Sequence, residues 1–350
     1  MRMRNGGLIL VVILAGLASP AAAADCGPLK QIASLDLKAA PGGGPRFGVP
    51  VTINGSPRLL LLNTQYKESR LTRAAVNALQ LKPAAYGKML RLDGQVTNGY
   101  MVTVDLGIGT SLLKGTEMLV DENVGGGFDG EFSTDLMQRY DIELDFTGRK
   151  LNYFLSDHCE GKVVYWPTTG FTTVPIRGWG ARLTNTASMN STGMTPHPVE
   201  FGITVSIDGH EIPASVETNL AQTTLNSDTA HSLFGLTADS PGTVQLGSLD
   251  GTQAHRRFGY VFKTLTIGGI TLHDPHIAMA PDLLGTKSSE MIQADSHIQR
   301  RSDDRLPTLR IGMDVLRNLH MFIATGEQKL YLTLAPQPPG PGRGGAAPTP

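Results

Sequence analysis

A chain of 350 residues is long enough for two domains, each with its own core, and excludes a single small module. Lys plus Arg number 30 against 31 Asp plus Glu, and only 17% of residues are charged, so no electrostatic excess points to nucleic acid or anionic lipid as a partner. With 41 Gly, 22 Pro and a mean hydropathy of -0.08, the composition is that of many short strands joined by turns, and a mostly β chain is expected.

At the N-terminus, Arg2 and Arg4 precede an apolar run from Leu8 to Leu17 and small residues ending in Ala22-Ala23-Ala24, the pattern of a signal peptide over residues 1–24. The run is shorter than the roughly 20 helical residues that span a bilayer, so no membrane span is expected after cleavage. The protein is therefore expected to be exported, periplasmic or secreted. Cys26 and Cys159 are the two cysteines. In an exported chain an even pair favours one disulfide, here tying the mature N-terminus to mid-chain, with two unpaired thiols as the alternative.

An internal repeat organises the rest of the chain. The segment VPVTINGSPRLLLLNTQ from Val49 aligns with FGITVSIDGHEIPASVETN, Asn54-Gly55 matching Asp208-Gly209 at an offset of 154. In each copy alternating branched residues, Val51-Thr-Ile53 and Ile203 to Ile207, meet an Asn-Gly or Asp-Gly turn, which predicts a hairpin. RLTRAAVNALQL after Ser69 spaces Leu71, Ala75, Ala78 and Leu79 as a short amphipathic helix, and TLNSDTAHSLFGL after Thr223 repeats it. Between Leu90 and Thr103, the turn signals Asp93-Gly94 and Asn98-Gly99 predict an exposed hairpin. Val104 to Gly107 aligns with Leu265 to Gly268 at an offset of 161. DLMQRYDIELDFTGRKLNYF from Asp135 aligns with DVLRNLHMFIATGEQKLYLT from Asp314 at 179, with a one-residue slip at Thr147-Gly148 and Thr325-Gly326. The offsets grow through insertions in the second copy. Two domains are thus expected over residues 28–160 and 199–335, joined by a segment over 161–198 in which FTTVPI from Phe171 is a candidate opening strand of the second copy. The Pro- and Gly-rich residues 336–350 cannot build a core and are expected to be disordered.

Several other motifs have plain readings. His273-Asp274-Pro275-His276 falls on a strand or turn, not on a helix face, and no metal is expected there. Gly125-Gly126-Gly127 lacks the Lys and Ser/Thr of a phosphate loop, and no Gly-x-Ser-x-Gly nucleophile elbow occurs. RRSDDR from Arg300 reads as a surface loop, and Trp166 and Trp179 read as packing anchors. No cofactor is expected.

In each copy a turn precedes an apolar strand, a loop with a central Thr, a helix, and later a brace such as the Ile311-Gly312-Met313-Asp314 of IGMDVLRNLHMFIATGEQKLYL. This doubled pattern resembles the aspartic peptidases, and the chain is similar, over about Ile32 to Leu334, to an exported, single-chain, two-lobed member of the retropepsin-like group. The resemblance implies two duplicated aspartic-peptidase-like β-barrel lobes in one monomeric chain, acting on peptide bonds, with one Asp of a dyad supplied by an Asp-Thr-Gly loop in each lobe. Here the loops read Leu62-Asn63-Thr64-Gln65 and Val216-Glu217-Thr218-Asn219, so that only Thr64 and Thr218 match the family loop. Asn63 and Glu217 take the catalytic positions, and Thr64, Gln65, Thr218 and Asn219 the substrate-binding ones. Ser133 stands where the second copy has Gly312.

A working dyad needs two close carboxylates sharing one proton. Asn63 cannot ionise. Glu217 is longer than Asp by one methylene, which displaces its carboxylate by roughly 1 Å, enough to cost about 100-fold in rate. The expectation is a homologue that binds an extended peptide or protein segment between the lobes, under a flap formed by Leu90 to Thr103, with little or no hydrolysis. Three alternatives stay open at this point: an active endopeptidase in which Glu217 is the base and Asn63 polarises the carbonyl; an alignment displaced so that Asp228 or Glu68 supplies a carboxylate; and a structural envelope protein whose cleft is filled by side chains such as Gln65.

Overall fold

The computed structural model describes residues 26–92, 95–121, 126–178, 201–248, 255–281 and 308–335. The first half of the chain forms β1 (Gln31–Asp36), β2 (Lys38–Ala39), β3 (Phe47–Ile53), β4 (Ser56–Leu62), β5 (Arg70–Thr72), α1 (Arg73–Ala78), β6 (Pro83–Leu92), β7 (Gln95–Ile108), β8 (Ser111–Asp121), β9 (Gly130–Phe132), β10 (Asp141–Asp145) and β11 (Lys150–Phe154). The second half forms β12 (Thr172–Pro175), β13 (Gly202–Ile207), β14 (His210–Val216), β15 (Thr224–Asn226), α2 (Ser227–Phe234), β16 (Val244–Ser248), β17 (Arg256–Val261), β18 (Thr264–Ile267), β19 (Ile270–His273), β20 (His276–Ala280), β21 (Leu309–Ile311), α3 (Met313–Leu316), β22 (Leu319–Ala324) and β23 (Lys329–Leu334).

Local chemistry accounts for the element ends. Asn54-Gly55 and Asp208-Gly209 hold φ values of 49° and 80°, and of 47° and 86°, so both central residues of each hairpin turn are left-handed, as a tight hairpin requires. The Thr72 hydroxyl accepts from the Ala75 N–H at the start of α1, the Asn226 side chain accepts from Asp228 N–H at the start of α2, and left-handed Gly235 closes α2.

The strand order β3-β4-β9-β5-β8-β7 closes on itself where β7 returns to β3 through Thr52–Gly107 and Ile53–Leu106. Within it β4 and β9 are parallel, β9 and β5 antiparallel, and β5 and β8 parallel. The second half repeats this with β14, β21, β15 and β20. The fold is therefore mostly β, with the barrel architecture and internal duplication that the resemblance implies.

Two details of the sequence alignment are corrected. Asn54 Oδ1 accepts from Asp105 N–H at 2.8 Å, and Asp208 Oδ1 accepts from Thr264 N–H at 2.8 Å, so the equivalent strands are offset by 264 minus 105, or 159, not 161. Aligning the glycines misled because they do different things: a Cβ at Gly107 would sit 2.2 Å from Thr52 Oγ1, whereas Gly268 has a φ of 62° and makes the turn into β19. The expected slip near Thr147 is also absent, since Arg149 and Gln328, 179 apart, are the left-handed residues of their turns, with φ of 56° and 53°.

A six-stranded sheet, β1-β11-β10-β22-β23-β12, is built from both halves, which join at β10 and β22 through Ile142–Ile323 and Leu144–Met321. One face supplies Ile142, Leu144, Met321, Ile323, Leu330 and Leu332 to the main core. The other face packs Phe154, Phe322 and Tyr331 under Val163 and Trp166. Burial on both faces explains the unbroken apolar run LHMFIA in β22. Cys26 and Cys159 form a disulfide 133 residues apart in sequence that holds Gly27 beside His158 at the edge of this sheet.

The outer face also carries two buried His–carboxylate pairs. His158 Nε2 meets Asp141 Oδ2 at 2.5 Å and its Nδ1 lies 3.1 Å from the Cys159 carbonyl, while His320 Nε2 lies 2.7 Å from Glu143 Oε1. Burial opposes charge on His158, but its contacts with Asp141 and the Cys159 carbonyl, aided by the charge of Glu327, raise its pKa above the usual value. Burial likewise opposes charge on Glu143, and donors from His320, Tyr165 and Asn152 override it and hold the carboxyl below the usual value. The expected signal peptide, the RRSDDR loop, Trp179, most of the connecting segment and the Pro-rich tail lie outside the described residues. Among the described residues, no helix is long and apolar enough to cross a membrane.

Candidate functional site

The loops that follow β4 and β14 begin in the same way. Asn63 N–H donates to the Phe132 carbonyl and Glu217 N–H to the Ile311 carbonyl, each at 2.9 Å. Their far ends are held alike as well. Ser69 donates its N–H and Oγ–H to Asp135 at 3.0 and 2.7 Å, and Thr223 donates its N–H and Oγ1–H to Asp314 Oδ1 at 2.9 and 2.6 Å. The hydroxyls then accept from the brace backbone, Ser69 Oγ from Ser133 N–H and Thr223 Oγ1 from Gly312 N–H. A Cβ at Gly312 would lie 2.7 Å from the Gln222 carbonyl carbon, so the second loop needs glycine there. Ser133 occupies the equivalent place in the first half with its Oγ buried and unpartnered.

The two loops interlock. Thr64 Oγ1 donates to the Val216 carbonyl at 2.6 Å and accepts from Thr218 N–H at 3.2 Å, while Thr218 Oγ1 donates to the Leu62 carbonyl at 2.8 Å. Asn219 Nδ2 donates to Gln65 Oε1 at 3.0 Å. The six residues singled out in the sequence are thus brought together. Thr64 and Thr218 act in the junction itself, and their hydroxyls are used between the loops. Gln65, 5% exposed, reaches across the junction to Asn219.

The side chains of Asn63 and Glu217 differ. Asn63, fully buried, turns back into its own loop, where Oδ1 accepts from the N–H groups of Gln65 and Tyr66 at 2.8 and 3.2 Å, and Nδ2 is buried without a partner. Glu217 leaves its loop for the neighbouring strand. Ser215 Oγ donates to Glu217 Oε1 at 2.6 Å, Arg310 Nε lies 3.0 and 2.9 Å from Oε1 and Oε2, and Arg310 Nη2 lies 2.7 Å from Oε2. The Glu217 side chain is 3% exposed and that of Arg310 31%.

The first half has a different ion pair. Glu131, 179 residues before Arg310, takes Arg310's place, with Leu61–Glu131 pairing as Ser215–Arg310 does. Glu131 accepts from Arg70 Nε at 2.8 Å, and the Arg70 guanidinium lies 4.1 Å from the centre of the Tyr66 ring. Sequence reasoning missed Arg310. Its only signal was a cation two residues before Gly312 on the strand beside the Glu217 loop.

The alternative carboxylates, Asp228 and Glu68, belong to α2 and to the end of the first loop. Asp228 is in the exposed first turn of α2. Glu68 sits at the far end of its loop, where burial and then the charge of Asp135 raise its pKa; burial raises that of Asp135 too. The backbone of the Leu90 to Thr103 hairpin spans β6 and β7, paired from Leu90–Thr97 to Leu92–Gln95 around residues 93–94, so Asn98-Gly99 is a strand pair and not a turn. His273 and His276 flank the β19–β20 turn, and the described residues hold no group of three His, Cys, Asp or Glu that could grip a metal.

Chemically, Asn63 cannot ionise, and the Glu217 carboxylate is held by a guanidinium and a hydroxyl. Residues 203–315 match a family model described as Aspartyl protease, a stretch that includes Glu217, Thr218, Asn219 and Arg310. No curated protein matches the chain. Over residues 203–315, therefore, this chain is similar to the aspartyl proteases.

Proposed function

We propose that this protein is an exported, two-lobed, monomeric aspartic-protease homologue that binds an extended peptide or protein segment between its lobes without hydrolysing it. The observation that carries the reading is the double contact of Arg310 with Glu217. A general base must present a free carboxylate oxygen to water, whereas Ser215 and Arg310 occupy both oxygens of Glu217, and Asn63 cannot ionise. Thr64 and Thr218 keep the loops in register, Gln65 and Asn219 form the floor, and the β6–β7 hairpin covers the segment. The Cys26–Cys159 disulfide supports an oxidising compartment, and hence export.

A second reading, a structural protein with a closed cleft, is favoured by the Gln65–Asn219 bond across the junction. Affinity selection separates the two. The protein is incubated with a library of capped peptides, passed through a sizing column, and the retained peptides are read by mass spectrometry. Intact peptides retained by the parent and lost in Gln65→Trp, which fills the floor, support binding; no retention supports the closed structure, and shortened peptides overturn both.

A further inference from the structure

The six-stranded sheet ends at β12, and the sheet that carries β14, β13 and β18 meets it there and then parts from it. At the meeting point Arg177 N–H donates to the Gly202 carbonyl at 2.9 Å and Gly202 N–H to the Arg177 carbonyl at 3.0 Å. Continued by two residues, the same antiparallel register would pair Pro175 with Thr204, and Pro175 has no N–H to donate, so the ladder stops. At the other end of β12, Gly269 N–H donates to Thr172 Oγ1 at 3.0 Å. Between these two contacts, about 17 Å of strand apart, lies a groove of about 470 Å³.

Its walls are polar, with unlike charges toward the two ends. Ile203, Val205 and Ile207 turn one face of β13 into the core, which leaves Thr204 and Ser206 on the other. Glu211 and Thr266 are the cross-strand partners of Ser206 and share that face. Gly202 bonds to Arg177 and Ser206 pairs with β18, so the N–H and C=O of Thr204, between them, point across the groove toward Pro175. Arg177 stands at the bridged end, and Glu211 lies beside Ser206, about 13 Å along the strand. Both are exposed, and no described residue forms an ion pair with either.

We propose that this groove binds a short peptide with free termini, about three residues long. Its central residue takes the ladder position that Pro175 cannot fill, donating N–H to the Thr204 carbonyl and accepting from Thr204 N–H. Antiparallel to β13, such a peptide points its C-terminus toward Gly202 and its N-terminus toward Ser206. Its carboxylate then meets the Arg177 guanidinium and its ammonium meets Glu211, so the direction set by the backbone agrees with the direction set by the charges. An extended tripeptide spans about 10 Å, and the two side chains supply the remaining reach. The Ser206 and Thr266 hydroxyls flank the ammonium end. This site lies on the edge between β12 and β13 and does not depend on the reading of the Asn63 and Glu217 loops.

The test titrates the full chain calorimetrically with trialanine and with N-acetyl-trialanine amide, which keeps the backbone and lacks both charges. The proposal predicts that trialanine binds, that the capped peptide binds about tenfold more weakly or worse, and that Arg177→Gln and Glu211→Gln each weaken trialanine by about tenfold, with circular dichroism verifying that both are folded. Gln65→Trp should leave trialanine binding unchanged. No binding of trialanine, equal affinity for the free and capped peptides, or binding that survives both substitutions would overturn the proposal. So would loss of binding in Gln65→Trp, because the peptide would then sit at the two loops.

Discussion

Replacing Arg310 by Gln removes the cation that holds Glu217 while leaving the strand intact. Breaking a fully buried ion pair costs about 3–5 kcal/mol because one charge stays buried and unpaired. Two features of the site reduce that figure: the Arg310 side chain is 31% exposed, so water can enter its place, and Ser215 Oγ keeps its 2.6 Å bond to Glu217. The expected loss is therefore about 2–3 kcal/mol near neutral pH. The reverse change, Glu217→Gln, leaves the partly exposed Arg310 to be solvated and is the milder of the two. Urea unfolding of parent, Arg310→Gln, Glu217→Gln and the double variant gives the coupling directly. An Arg310→Gln chain as stable as the parent, or a double variant that shows no coupling between the two positions, would show that the ion pair does not hold Glu217 in this way.

Three further outcomes are expected. The pKa of His158 is raised in the folded protein, so its stabilising contribution is complete below about pH 6.5 and is lost as pH rises through the folded value; urea midpoints should fall more steeply on the alkaline side in the parent than in His158→Gln, and parallel profiles would contradict this. Thr218→Val leaves the buried Leu62 carbonyl without its hydroxyl and should cost about 1–3 kcal/mol; Thr64→Val also takes the acceptor from Thr218 N–H and should cost more, as calorimetry of both variants can check. Changing Cys26 and Cys159 to Ser opens a 133-residue loop and should cost up to about 4–5 kcal/mol, matched by reducing the parent with dithiothreitol.

Turns and the duplicated order of elements were legible in the sequence because their chemistry is local: Asn54-Gly55 and Asp208-Gly209 need only their own backbone angles. The paired loops were legible because no insertion separates them, and the offset of 154 carries Thr64 to Thr218 and Gln65 to Asn219. The grip on Glu217 was not, since Arg310 lies 93 residues away and reaches it only through the parallel pairing of β14 with β21. The His–carboxylate pairs were hidden for the same reason, as His320 and Glu143 are 177 residues apart. The alignment at Gly107 and Gly268 failed because one residue type served a close strand approach in one half and a left-handed turn in the other.

The proposed function stands or falls on whether the junction of the two loops cuts peptides. Incubating a chain of residues 25–350 with a peptide library from about pH 3 to pH 8 covers the span over which carboxylates titrate, and mass spectrometry reads the products with Glu217→Gln in parallel. Intact peptides are expected at every pH for both proteins. Cleavage by the parent that disappears in Glu217→Gln would contradict the proposal, and would make Glu217 the working base of an altered Asn63/Glu217 pair.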